Sequence, residues 1–141
     1  MKLSSKSRYA VMALADIARF RDNIPVSLRD ISLRQGISLV YLEQLFLRLK
    51  KNNIVKSIRG KKGGYILSLT PDEIKLSDVL NAVEEKVKTI GCQKNSKQGC
   101  NGKSAKCITH NLWDELEIHI NGFFHQKNLG DLVYKSKNIL Q

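Results

Sequence analysis

The chain has 141 residues, of which 42% are hydrophobic and 26% are charged. This size and composition predict one compact domain, or a small domain with an appendage, and argue against two domains with separate cores. With 24 Lys and Arg residues against 13 Asp and Glu, the formal net charge is +11, which favours a polyanionic partner, nucleic acid above all, over small neutral substrates.

The distribution of charged and apolar residues narrows this expectation. Residues 1–75 hold 15 basic and 6 acidic side chains, a net of +9, whereas residues 76–141 hold 9 and 7, a net of +2, so we expect the polyanion to bind the first half. The longest apolar run, Tyr9 to Ala15, is far shorter than the roughly 20 residues of a membrane-spanning helix, and no signal-peptide cleavage pattern follows it. We therefore expect a cytoplasmic protein with no membrane partner.

The first elements in chain order are three helices. The segment from Ser7 to Phe20 is almost wholly apolar, which is typical of a helix buried among others. Ser27 is a suitable cap for a short helix through residue 35, and Gly36 provides a tight turn. Ser38 then caps a third helix, from Leu39 to about Asn52. Two helices separated by a glycine turn indicate a helix-turn-helix.

The third helix divides into a core face and an outer face. The spacing i, i+3, i+4, i+7 predicts that its core residues are Leu42, Leu45, Phe46 and Leu49. Its outer face is the size of a DNA groove, and the residues we expect to contact DNA are Ser38, Val40, Tyr41, Glu43, Gln44 and Arg48. A carboxylate on this face either selects among base sequences, as we predict for Glu43, or pairs within the chain with Arg48 or Lys50.

A basic hairpin follows the third helix. Two β-prone runs, Ile54 to Ile58 and Tyr65 to Leu69, are joined by a glycine-rich tip with three cations, Arg59, Lys61 and Lys62. A lysine-rich hairpin tip alone is usually a solvated loop, and a helix-glycine-helix pattern alone is common in helical proteins. Their order within the strongly basic half favours a winged helix-turn-helix whose wing contacts DNA phosphates.

Two more helix starts are predicted after the wing. Thr70 to Glu73 combines a capping hydroxyl, a proline at the first helical position and a glutamate at the third, so we expect a short helix to begin there. Ser77 is expected to start another helix, which turns Val79, Leu80 and Val83 toward the core.

A polar loop then carries all three cysteines, followed closely by a histidine. Cys92, Cys100, Cys107 and His110 are spaced C-x7-C-x6-C-x2-H. Three thiolates and an imidazole suit either zinc or a 2Fe–2S cluster, and three cysteines this crowded do not suit a disulfide framework. The residues alone support three alternatives equally: an iron–sulfur cluster, a zinc ion, and a basic loop with free cysteines.

The last predicted helix runs from about Asn111 to Gln126. Its apolar residues fall within about 120° of the helix circumference, and we expect them to form a dimer interface: Leu112, Trp113, Leu116, Ile120, Phe123 and Phe124. The alternative is packing within one subunit. No Ser/His/Asp order, glycine-rich phosphate loop or carboxylate pair marks an active site, so we do not expect an enzyme.

Several motifs across the chain carry a family resemblance. They are LSSKSRYAV at residues 3–11, QGIS at 35–38, YLEQLF at 41–46, RG at 59–60, GGY at 63–65 and, most specific, CITHNLW at 107–113. With these motifs the chain resembles the IscR family of bacterial iron–sulfur cluster regulators, which are winged-helix repressors. The intervals between its cysteines are longer by one or two residues than is usual in that family.

The resemblance implies a mainly α-helical fold with a small β-hairpin wing and a long C-terminal dimerisation helix. Residues 1–85 would form the DNA-binding domain, 86–107 the cluster-binding loop, and 108–141 the dimerisation helix and C-terminal segment. It further implies a homodimer on a pseudo-palindromic DNA operator that controls cluster-assembly genes. A 2Fe–2S cluster, supplied by the cluster-assembly machinery, would be held by Cys92, Cys100, Cys107 and His110. A nitric-oxide- or iron-responsive regulator on the same scaffold, or a zinc-stabilised regulator, is the alternative.

Overall fold

The computed structural model describes residues 3–20, 23–85 and 108–139. As predicted, this part of the chain is mainly helical, with one two-stranded antiparallel hairpin. None of its helices is both long and apolar enough to cross a membrane. In chain order the elements are α1 (Ser5–Ala18), α2 (Leu28–Gln35), α3 (Leu39–Lys51), β1 (Val55–Ile58), β2 (Gly64–Leu67), a 3-10 turn (Pro71–Glu73), α4 (Leu76–Ala82), α5 (His110–Gln126) and α6 (Leu129–Ile139).

The caps and the turn of the helix-turn-helix are those that the sequence predicts. The Ser27 side chain accepts a hydrogen bond from the Asp30 amide, and the Ser38 side chain accepts one from the Tyr41 amide. Gly36 ends α2 with φ 67°, a left-handed conformation that glycine adopts at little cost. The four predicted core residues of α3 are all buried. The direction in which α3 leaves the turn is therefore fixed by local chemistry.

The core is arranged around α1, which packs against α2, α3, α4, α6 and β2. Its buried positions include one full charge, because Asp16 lies in the last turn of the helix with its side chain wholly inaccessible. Arg34 of α2 donates to this carboxylate through Nε at 3.1 Å and Nη2 at 2.7 Å. Gln35 Nε2 donates at 2.8 Å, and Arg19 Nη2 donates at 3.1 Å from the following turn. The charge is therefore surrounded by donors.

These donors decide the protonation state of Asp16. Burial raises the pKa of Asp16, but the hydrogen bonds from Arg34 and Gln35 and the charges of Arg34 and Arg19 outweigh it and leave the pKa below its ordinary value. A lowered carboxyl pKa stabilises the fold above the unfolded-state pKa of about 3.9, and that contribution is lost as the pH falls through the lowered folded-state pKa.

The short helix predicted to start at Thr70–Glu73 is present as a single 3-10 turn, Pro71–Glu73. Ile74 leaves the turn in an extended conformation, and its carbonyl accepts a hydrogen bond from the Leu129 amide at 2.9 Å. The Leu76 amide in turn donates to the Lys127 carbonyl at 2.9 Å. The C-terminal segment thus occupies the backbone groups that a continued helix would have needed.

α4 follows the 3-10 turn, and α6 ends the described part of the chain. α4 begins at Leu76 rather than Ser77, and its predicted core residues, Val79, Leu80 and Val83, are buried. The sequence analysis did not predict α6, although Asn128 and Asp131 form a reciprocal cap in which each side chain accepts from the other's amide. This Asn-x-x-Asp pattern was a readable helix-start signal. α6 packs on α1 and on the 3-10 turn.

We expect Arg34→Ala to lower the free energy of unfolding by about 3 kcal/mol, since it removes the main partner of a buried carboxylate. Arg19→Ala is the matched control, because this side chain is 49% exposed and gives Asp16 one hydrogen bond, so its loss should cost under about 1 kcal/mol. Urea unfolding of the three proteins at pH 7 measures both. Equal, small losses for the two variants would show that Asp16 does not depend on Arg34.

Candidate nucleic-acid interface and cluster site

The outer face of α3 is open to solvent. Ser38, Val40, Glu43 and Gln44 are all exposed, and they lie in the first half of the helix. In helix-turn-helix proteins the N-terminal residues of the second helix are the ones that contact base edges. The structure therefore brings together four of the six side chains predicted to contact DNA from this helix.

The other two, Tyr41 and Arg48, are half-buried and already have partners. The Tyr41 hydroxyl lies 3.2 Å from Ser5 Oγ, and its ring packs edge-on against Tyr9 with centroids 5.8 Å apart. Arg48 Nη1 donates to the Val83 carbonyl at 3.4 Å. These contacts join α3 to α1 and to the end of α4. Sequence patterns could not reveal them, because the partners are more than 30 residues apart in the chain.

Glu43 does not form the intramolecular pair that was the alternative interpretation of its role. Within the described residues, both ion pairs end on Asp16, and neither includes Glu43, Arg48 or Lys50. Selection among base sequences by Glu43 stays a prediction.

The hairpin presents its cations at the tip. Arg59, Lys61 and Lys62 are exposed, and the turn between them is closed by a hydrogen bond from the Gly63 amide to the Gly60 carbonyl at 3.0 Å. The strands themselves are shorter than predicted at the base of the hairpin, with Val55 paired to Leu67. The predicted wing thus forms, with three charged side chains free to reach phosphates.

The wing is also joined to the start of the helix-turn-helix. Val26, just before α2, forms an antiparallel bridge with Tyr65 of β2, in which the two amides donate at 3.0 and 2.8 Å. A Cβ atom on Gly64 would lie 2.4 Å from the Val26 carbonyl oxygen, so the close approach requires glycine at this position. The wing is therefore joined by backbone hydrogen bonds to the segment that leads into the helix-turn-helix.

Of the four predicted cluster ligands, His110 is the one that the structure describes. It is the first residue of α5 and is partly exposed, while Cys92, Cys100 and Cys107 lie outside the described residues. Among the described residues, no group of three or more His, Cys, Asp and Glu side chains is arranged to hold a metal ion. The donor chemistry of the four residues, three thiolates and an imidazole, fits an iron–sulfur cluster.

The last described residue before the cysteines is bonded to the start of the fold. Glu85 Oε1 accepts from the Ser4 amide at 3.0 Å, and the Ser4 hydroxyl donates to Glu85 Oε2. Burial raises the pKa of Glu85, but the hydrogen bonds from Ser4 outweigh this effect and leave the pKa below its ordinary value. Because the Ser4 side chain gives α1 no cap of its own, Glu85 serves as the cap at that end.

The apolar stripe of α5 is largely uncovered in a single chain. No residue of this helix is buried, and Leu112 and Phe123 are 57% and 54% exposed. Trp113 and Leu116 are also exposed, whereas Ile120 and Phe124 are half-buried. Packing within one subunit, through contacts with α4, covers only part of the stripe.

Comparison with known proteins decides the class to which this arrangement belongs. Residues 3–135 match the Rrf2 family, described as iron-dependent transcriptional regulators. The chain belongs to the Rrf2 family. The predicted class of function, a DNA-binding transcription regulator, is thereby confirmed, and DNA is its partner.

Individual relatives support the same assignment. The chain is 50% identical over 133 residues to the HTH-type transcriptional regulators IscR of Cronobacter sakazakii and Klebsiella pneumoniae, which covers 94% of this chain and 80% of each relative. The structure of T. potens IscR matches with a TM-score of 0.81 and 32% identity, over 100% of this chain and 92% of that one. CymR, the global cysteine regulator of B. subtilis, matches with a TM-score of 0.80 and 27% identity, over 96% and 98%. The resemblance to the IscR family is confirmed.

Replacing Lys61 should affect all DNA sequences alike, since a phosphate contact carries no sequence information. We expect Lys61→Ala to lower the slope of log affinity against log salt by about one. Gln44→Ala, in contrast, should reduce discrimination at particular base pairs and leave the slope unchanged. Fluorescence anisotropy titrations on operator and random duplexes, at several salt concentrations, measure both. Equal effects of the two variants on both duplexes would contradict this assignment of roles.

Proposed function

We propose that the chain is a homodimeric repressor that controls iron–sulfur cluster assembly genes and senses cluster supply through a 2Fe–2S cluster of its own. The observation that carries the DNA-binding half is the pairing of an exposed helix face with a basic wing, held together through Val26 and Tyr65. The names of the IscR relatives and the iron-dependence of the family support the sensing half. The cluster donor would be the cluster-assembly machinery.

The geometry of one subunit supports the following arrangement on DNA. α3 enters the major groove with its N-terminal end, so that Glu43 and Gln44 meet base edges, and Arg59, Lys61 and Lys62 of the wing contact phosphates. Glu43 accepts from a cytosine amino group where one is present and repels sequences that offer no donor. Tyr41 and Arg48 support the helix from its edges through the contacts described above.

The dimer places two such helices on one operator. The exposed stripe of α5 is the proposed contact between subunits, because burying its aromatic and aliphatic side chains removes a large apolar area from water. Two recognition helices related by a two-fold axis bind half-sites about 34–36 Å apart on a pseudo-palindrome.

The sensing segment is proposed to be residues 86–107 with His110. Cys92, Cys100, Cys107 and His110 would hold the 2Fe–2S cluster, whose assembly and loss supply the signal. His110 is fixed in place by α5, so the last ligand belongs to the proposed dimer helix and the other three to the connecting segment. A cluster bound in this way would connect the segment of residues 86–107 to the proposed dimer helix. A zinc-stabilised regulator would use the same four residues without the sensing chemistry, and a nitric-oxide- or iron-responsive regulator would use the same scaffold with another signal.

Removing a single ligand should abolish the cluster without unfolding the protein. Anaerobically purified wild type is expected to contain iron and acid-labile sulfide in the ratio of one 2Fe–2S cluster per chain, with visible absorbance. Cys107→Ala and His110→Ala should be colourless yet keep the helical content of wild type. His110 is partly exposed and is not a member of the hydrophobic core. Ser104→Ala is the matched control. One zinc per chain and no acid-labile sulfide in wild type would overturn the sensing mechanism and leave the DNA-binding half.

A charge in the α5 stripe should break the dimer. We expect wild type to be a dimer at micromolar concentration by light scattering and Phe123→Glu to dissociate at least about thirty-fold more readily, as for a central interface residue. Leu33→Glu is the control, since Leu33 is 78% exposed on α2, outside the stripe. A monomeric wild type, or equal behaviour of the two variants, would contradict the proposed interface.

A further inference from the structure

The outer face of α3 exposes two large aliphatic side chains that the fold does not use. Val40 is 63% exposed and Leu47 is 66% exposed, on the side opposite the buried face of the helix. A β-branched residue such as valine also lowers helix propensity slightly. Neither core packing nor helix stability accounts for Val40, so its role lies in what the exposed face contacts.

Val40 occupies a well-fixed position near the start of α3. The Ser38 side chain caps the first turn by accepting from the Tyr41 amide, and Tyr41 is held against α1 through Ser5 and Tyr9. The valine side chain has few accessible χ1 rotamers in a helix, so ordering it on a ligand costs little entropy. This end of a recognition helix is the one that reaches base edges.

The major groove offers one apolar group to such a side chain, the C5-methyl of thymine. Gln44 lies one helical turn beyond Val40, with Cβ atoms about 5–6 Å apart, and glutamine pairs with adenine in the same groove. Since stacked base pairs are about 3.4 Å apart, two such side chains reach base pairs one or two steps from each other.

We propose that Val40 is a specificity-determining residue that packs on a thymine methyl, one or two base pairs from the pair contacted by Gln44. The inference rests on the proposed DNA-binding function and deepens it, because it assigns an apolar preference to one position of each half-site. Leu47 lies seven residues further along, about 10 Å down the helix axis, and is placed beyond the base edges that the N-terminal turn reaches. It therefore serves as a matched aliphatic control.

The test replaces each thymine of the operator half-site by deoxyuridine, which removes only the methyl group. The operator is first obtained by binding-site selection with the full-length, cluster-free wild type. At one thymine, wild type should bind the uracil duplex about four-fold more weakly, the effect of losing one buried methyl-sized contact. Val40→Ala should bind the thymine and uracil duplexes equally. Val40→Thr, which keeps one γ-methyl, should retain part of the difference, and Leu47→Ala should retain all of it.

The outcomes separate this inference from the function on which it rests. If selection enriches no sequence, the proposed recognition of base edges by α3 fails and the inference fails with it. If an operator is enriched but wild type ignores the methyl groups, or Val40→Ala remains as sensitive as wild type, only the inference is overturned. A methyl dependence lost in Leu47→Ala and kept in Val40→Ala would also overturn it. Thermal unfolding of each variant checks that the exposed substitutions leave the fold intact.

Discussion

Asp16 lies fully buried in the last turn of α1, and its carboxylate accepts hydrogen bonds from Arg34 and Gln35 at the last turn of α2. An apolar side chain could fill the same volume, and replacing a buried ion pair in that way is often neutral for stability. The two parallel bonds to Arg34 add a direction, because a guanidinium binds a carboxylate in its own plane. Arg34 and Gln35 immediately precede the Gly36 turn. The orientation of that turn, and with it the path of α3, therefore depends on a charge inside α1.

A second constraint joins the parts that face DNA. The Val26–Tyr65 bridge connects the chain before α2 to the inner strand of the wing, and Gly64 permits that approach because a side chain would collide with the Val26 carbonyl. Because the bridge joins the wing to the helix-turn-helix, the proposed placement of α3 in a groove would also determine where the wing cations lie relative to the phosphates. Positioning of this kind limits the entropy lost on binding.

The elements that the sequence predicted well are those specified by residues near each other in the chain. Caps at Ser27 and Ser38, the left-handed Gly36 and the periodicity of α3 are local signals, and each is present in the structure. The helix α6 was missed although Asn128 and Asp131 are a local start signal, whereas other features depend on contacts between distant segments. After the 3-10 turn, the Ile74 carbonyl and the Leu76 amide form hydrogen bonds with residues 127–129, and no local pattern shows that. The exposed candidate residues of α3 followed from the same periodicity, and those of the wing from its glycine-rich hairpin tip. The partners of Tyr41 and Arg48, in contrast, depend on tertiary packing.

The two ends of the cysteine segment are fixed differently. The chain leaves the DNA-binding half through residues 83–85, where the Val83 carbonyl accepts from Arg48 of α3 and the Glu85 carboxylate caps α1 through Ser4. It re-enters described structure just before His110, the first residue of α5, whose apolar stripe is the proposed subunit contact. A displacement of residue 85 must either break the bonds to Ser4 or carry the start of α1 with it, and α1 supports Tyr41 of the recognition helix through Ser5. Within the described residues, the contacts that would link the cysteine segment to base reading are therefore hydrogen bonds between polar groups.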